Sequence, residues 1–127
     1  MLKYLAVLLV LGARAVAAPV DEIEALLTYV GKLEGASFIR NGDAHTPAEA
    51  VDHLRTKWMA QKGQIKSAED FVRLCATKSI LSGKPYTIRF ADGHEEEAAQ
   101  VLFKQLKIIR RPPASRSPKE PNPPGAG

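Results

Sequence analysis

The chain has 127 residues, 18 Lys and Arg against 14 Asp and Glu, a formal net charge of +4, and one cysteine, Cys75. That length supports one small domain, and a single cysteine excludes an intramolecular disulfide. The positive charge lies at the ends: residues 1–17 hold Lys3 and Arg14, and Arg110, Arg111, Arg116 and Lys119 stand against Glu120 after residue 109. Residues 18–109 hold 12 Lys or Arg against 13 Asp or Glu. A nucleic-acid partner, which needs a basic face on a folded unit, is therefore not expected.

Residues 1–17 have the three parts of a secretory signal peptide: Lys3, an apolar run from Tyr4 to Gly12, and small residues at Ala15 and Ala17. Cleavage is expected after Ala17, and the location is read as periplasmic. Arg14 ends the apolar run well short of the roughly 20 residues a spanning helix needs, so no membrane span is expected in the mature chain.

The first helix is expected from Asp21 to about Glu34. Ile23, Leu26, Leu27, Val30 and Leu33 form one apolar stripe, and Asp21, Glu22 and Glu24 suit the positive end of its dipole. Ser37–Arg40 reads as a short strand, and Asn41-Gly42 as a tight turn. Thr46-Pro47-Ala48-Glu49 carries the signature of a capping box and starts a helix to about Gln61, with Val51, Leu54 and Trp58 facing inward. Ser67-Ala68-Glu69-Asp70 opens a third helix with Phe71, Leu74 and Cys75 inward. The period then changes to two: Tyr86, Ile88 and Phe90 alternate with Thr87 and Arg89, as in a half-buried strand. Asp92-Gly93 turns the chain, and Glu95-Glu96-Glu97 is read as the start of a last helix reaching Arg110.

From Pro112 onward six of sixteen residues are Pro and none is a large apolar side chain, so residues 112–127 are expected to be a disordered tail. The fold class is α+β: about four helices on a minimal two-stranded antiparallel sheet, 37–40 with 86–90, in one domain over 18–111. Two strands alone are marginal, so helices must cover one face.

Ser37-Phe38-Ile39-Arg40-Asn41-Gly42, then His53-Leu54-Arg55-x-Lys57-Trp58, Ser67-Ala68-Glu69-Asp70-Phe71 and Ser79-x-x-Ser82-Gly83-Lys84-Pro85-Tyr86 occur in an order and spacing that resemble the YfeK-like family. These are small exported proteins of Gram-negative bacteria without an assigned function, and the resemblance covers roughly residues 21–111. It implies a periplasmic location and brings no activity. It also implies that many members carry cysteines where this chain has Ala36 and Phe90. If those cysteines pair, residues 36 and 90 are neighbours, because a disulfide holds its Cβ atoms about 3.5–4.5 Å apart.

Glu49, His53 and Lys57 recur every four residues on the second helix. They are either a polar site with His53 as acid, base or ligand contact, or a solvated face with weak i,i+4 pairing. His45 and His53 flank Glu49 but lack the i,i+4 spacing of zinc-binding His pairs, and His94 stands in a separate turn, so no metal is assigned. Ser82-Gly83-Lys84 lacks the spacing of a phosphate loop, and Ser79 and Ser82 lack that of a serine acyl enzyme. Arg40 beside Asn41-Gly42 offers a planar fork of donors for a carboxylate or phosphate, unless it pairs with an acidic residue. Cys75, between Leu74 and Ala76, reads as a buried, inert thiol.

The reading that follows is a non-enzymatic binding module for a periplasmic protein or small envelope ligand, without catalytic residues or cofactor. Its contact residues are Arg40, Asn41, His53, Lys57, Ser82 and Tyr86. The alternatives are an enzyme acting on envelope material through His53, favoured if a pocket holds His53 beside Glu49 or Ser82, and an immunity or inhibitor protein.

Overall fold

The structure, a computed structural model, describes residues 18–112. The expected signal peptide, residues 1–17, and nearly all of the Pro-rich tail lie outside the described residues. Among the described residues, four helices and a four-stranded antiparallel sheet make up the fold: α1 (Pro19–Gly31), β1 (Ser37–Arg40), β2 (Asp43–His45), α2 (Pro47–Ala60), α3 (Ala68–Cys75), β3 (Thr87–Arg89), β4 (Glu95–Glu97) and α4 (Ala98–Ile109). A short 3-10 turn, Lys62–Gln64, links α2 to α3. The sheet order is β2-β1-β3-β4.

The two-stranded sheet is therefore corrected to four strands. Asn41 (φ 53°) and Gly42 (φ 84°) are both left-handed, which makes a two-residue hairpin loop of the type that matches strand twist. That hairpin returns Asp43–His45 along β1 with Arg40 opposite Asp43. At the other edge, Glu95-Glu96-Glu97 is strand β4, and the last helix begins only at Ala98. Arg89 stands opposite Glu95 and its Nε donates to Glu95 Oε2 at 2.9 Å, so a cross-strand ion pair holds part of a run that local propensity disfavours in strands. The β3–β4 loop closes through N–H donation from Phe90 to His94 O and from Gly93 to Phe90 O, with Gly93 at φ 97°.

The central pairing agrees with the sequence reading. Phe38 stands opposite Ile88 and Ser37 opposite Arg89. One step further, the same register puts Ala36 opposite Phe90. Beyond them, a Cβ placed on Gly35 would stand 3.0 Å from Ala91 Cβ, so the two segments stay close past the last ladder pair. Ala36 is buried, while the Phe90 ring stacks on the His94 imidazole at 4.7 Å between centroids.

Capping chemistry sets the helix starts. Thr46 Oγ1 accepts from Glu49 N–H at 3.1 Å and Glu49 Oε1 accepts from Thr46 N–H at 3.0 Å, completing the capping box of α2. Ser67 Oγ caps α3 by accepting from Asp70 N–H. Helix α1 is shorter than the apolar stripe suggests and ends at Gly31, after Pro19 has supplied its first turn.

The core gathers Ile23, Leu26, Leu27 and Val30 of α1 with Leu54 and Trp58 of α2, Phe71, Val72 and Cys75 of α3, Ile88 of β3, and Val101, Leu102 and Leu106 of α4. Burying each large aliphatic side chain contributes about 1.5–3 kcal/mol. Trp58 and Phe71 meet edge to face at 5.9 Å, joining α2 to α3.

One ion cluster ties three helix ends together. Arg110, the C-cap of α4, donates Nε and Nη2 to both oxygens of Glu22 at 2.9 and 2.8 Å, and Nη1 and Nη2 to Glu69 at 2.6 and 3.1 Å. Glu22 and Glu69 sit in the first turns of α1 and α3, and Glu22 is only 6% exposed. Each charge also has the sign its helix end favours. Arg110 thus belongs to the folded unit, inside the expected domain bounds of 18–111, and its charge is engaged at the helix ends rather than in the basic tail.

Candidate functional site

Helix α2 lies against the sheet so that its His53–Lys57 face meets Tyr86, the residue just before β3. Tyr86 is buried, its N–H donates to Thr77 O, and its carbonyl accepts from Ala98 N–H, so two other segments fix its backbone. Lys57 Nζ donates to Tyr86 Oη at 3.1 Å and lies 5.2 Å from the ring centroid. His53 Nε2 is 3.4 Å from the same hydroxyl, with the two rings edge to face at 5.8 Å. An ammonium can only donate, so the hydroxyl accepts from Lys57, and it donates to or accepts from the His53 ring according to the tautomer.

Burial, with the nearby charge of Arg40 and lesser contributions from Lys57 and His45, lowers the His53 pKa from 6.5 to about 4. His53 is therefore neutral at pH 7. The polar face of α2 is not simply solvated: His53 and Lys57 are half-buried, and only Glu49 of the three is exposed.

His53 and Tyr86 line a small pocket together with Phe38, Ile39, Arg40, His45, Glu49, Ala50, Leu54, Ala76, Ala98 and Leu102. Its volume is about 40 Å³, room for a small ligand group or one or two waters rather than a whole drug-sized molecule. The walls are mainly apolar. Arg40 is half-buried and makes no ion pair or hydrogen bond through its guanidinium among the described residues. The expectation that an acidic residue pairs it is not met: Asp43 stands opposite in the ladder without forming a salt bridge. His45 Nδ1 lies 3.6 Å from Glu49 Oε1, and its buried Nε2 has no hydrogen-bond partner among the described residues.

Of the six contact residues read from sequence, Arg40, His53 and Tyr86 thus share one pocket, and Lys57 joins them through the Tyr86 hydroxyl. Asn41 and Ser82 do not line it. They pair with each other instead, Ser82 Oγ donating to Asn41 Oδ1 at 2.5 Å on the exposed side of the β1–β2 turn. Sequence reasoning missed His45 as a wall of this pocket, because its position depends on strand β2. Among the described residues, no group of three or more His, Cys, Asp or Glu is placed to hold a metal ion. Cys75 is fully buried, and burial pushes its thiol up to about 11, far from the reactive range.

Residues 17–110 match the model of a family described as a family of unknown function, DUF5329. The chain belongs to this family. Over 64 residues it is also 42% identical to the uncharacterized protein YfeK of Salmonella typhimurium, a match covering 50% of this chain and 53% of that relative. The chain therefore spans about half the length of the curated relative it matches. No solved structure matches it. Membership in a YfeK-like family, stated above as a resemblance, thus has both a family match and a relative behind it. Neither carries an activity.

Proposed function

We propose that this protein is exported to the periplasm and binds the acidic group of a small envelope ligand or partner in the Arg40 pocket, without chemistry of its own. One observation carries the reading: Arg40, half-buried and with no carboxylate partner among the described residues, lines a mainly apolar pocket. A carboxylate or phosphate matches the planar fork of donors that Arg40 presents there. The neutral His53 and the His45 Nε2, which has no partner among the described residues, add polar groups suited to orient that ligand. The export pattern of residues 1–17 supports the location.

The test is an NMR titration of the chain recovered after export, with inorganic phosphate and with acetate as probes. Saturable shifts at Arg40, His45 and His53, lost in Arg40→Gln, are the expected result. Shifts that chloride reproduces at equal ionic strength would overturn it. The intact mass of the recovered chain should correspond to cleavage after Ala17.

A second reading has one observation in its favour: Glu49 and His53 line the same pocket, the arrangement an acid–base enzyme would need. Against it, Glu49 is engaged in the α2 cap, and a histidine with a pKa near 4 is a poor base at neutral pH. Turnover of isolated envelope material by the wild type, abolished in His53→Ala, would establish that reading instead.

A further inference from the structure

The segment between α3 and β3 holds two large apolar side chains out in solvent: Ile80 is 85% exposed and Leu81 89%. They are the most exposed large hydrophobic residues among the described ones. The loop is tied down beneath them. Lys78 and Pro85 form an antiparallel bridge, Ser79 N–H donates to Lys84 O at 3.0 Å, and Gly83 N–H donates to Ser79 O at 2.8 Å. Ser79 itself is buried, and its Oγ accepts from Leu81 N–H at 3.2 Å and Ser82 N–H at 3.4 Å. The bond from Ser82 to Asn41 fastens the loop to the β1–β2 turn. These contacts hold the apolar pair at a tip and prevent it from folding onto the core.

Along the chain, the charge on either side of the tip has one sign. No Asp or Glu occurs between Asp70 and Asp92, a stretch that includes Arg73, Lys78, Lys84 and Arg89. Arg73 and Arg89 pair with Asp70 and Glu95. The side chains of Lys78 and Lys84, which flank the tip on either side, are exposed and pair with nothing among the described residues. A stable protein interface needs roughly 800 Å² on each partner, far more apolar surface than two aliphatic side chains present. A lipid surface makes no such demand: a short apolar tip can enter the headgroup and acyl-chain boundary while cations beside it meet anionic headgroups.

We propose that the 78–85 loop docks this protein on an anionic lipid surface, with Ile80 and Leu81 seated in the bilayer interface and Lys78 and Lys84 on the headgroups. The inference is independent of the Arg40 pocket and of what that pocket binds.

Flotation of the chain recovered after export tests it, using vesicles of phosphatidylglycerol with phosphatidylethanolamine beside vesicles of phosphatidylcholine. The wild type should float with the anionic vesicles, less so as salt rises, and hardly with the neutral ones. The double variant Ile80→Ser, Leu81→Ser should bind at least about tenfold more weakly with unchanged circular dichroism. Lys78→Gln, Lys84→Gln should weaken binding and flatten its salt dependence. Failure of the wild type to float would overturn the proposal, as would flotation of both double variants at the wild-type level. So would sedimentation showing a dimer that Ile80→Ser, Leu81→Ser dissolves while the wild type ignores vesicles, because the tip would then serve a second copy of the chain.

Discussion

Two polar clusters in this small protein use the same kinds of residue to opposite ends. In the Glu22–Arg110–Glu69 cluster the guanidinium meets two carboxylates through four hydrogen bonds, and every charge is matched. In the Arg40–His45–His53–Tyr86 pocket, among the described residues, the guanidinium meets no carboxylate and an imidazole nitrogen has no partner, while the second imidazole is held neutral. The matched cluster is complete and stabilises three helix ends. The unmatched one leaves binding capacity unused, and that difference separates architecture from a candidate site better than residue type does.

The contrast can be broken most forcefully at Arg110. Arg110→Met should cost about 2–3 kcal/mol in chemical denaturation, less than a fully buried pair because the Arg110 side chain is 42% exposed. Adding Glu22→Leu should recover much of that loss, since the stranded carboxylate is then gone. Arg40→Gln should leave stability unchanged or raise it slightly. If Arg40→Gln proved as damaging as Arg110→Met, the distinction between the clusters would collapse.

The next effect is on pH dependence. The folded-state pKa of His53 lies near 4, below the 6.5 of an exposed histidine, so the unfolded chain binds the proton more readily. The stabilisation from a neutral His53 is therefore complete above about pH 6.5 and lost as pH falls toward 4. It should amount to on the order of 1–2 kcal/mol for a half-buried ring partly screened by solvent. His53→Gln should flatten this part of the stability curve, and an NMR titration of the wild type should show the His53 ring still neutral at pH 5.5.

Tyr86→Phe is a smaller change, about 1 kcal/mol, because it removes one shared hydroxyl and leaves the ring packing intact. It should also release the orientation of the His53 ring, seen as averaged ring shifts. The smallest effect belongs to His94, which sharpens the comparison from outside both clusters. Hydrogen bonds to Glu96 and Asp92 raise its pKa, so its contribution to stability is present below its unfolded value and lost as pH rises through the folded one. His94→Asn should therefore differ from the wild type at pH 5.5 and converge with it in alkaline solution, the opposite sense to His53→Gln.

The parts of this arrangement that are local in sequence could be read from it. Thr46-Pro47-Ala48-Glu49 announces its helix, and Ser37–Arg40 with the alternation after Pro85 announces the central strand pair. Strands β2 and β4 are three residues each and polar, and Glu95-Glu96-Glu97 carries a helix-start composition that only its cross-strand partners override. The pocket was half legible, since Arg40, His53, Lys57 and Tyr86 stood out as polar motif positions. His45 did not, because its place depends on a hairpin return three residues long. The Arg110 cluster left no local trace at all: its partners are 88 and 41 positions away.

Cys75 turns this molecule into its own stopwatch. Its sulfur has no exposed surface, and its thiol ionises only near pH 11, so a thiol reagent at pH 8 has nothing to attack while the fold is closed. Because it is the single cysteine, every labelling event reports the opening of this one place in the core, where α3 meets its neighbours. The rate of labelling thus follows how often the folded unit opens, without any engineered probe.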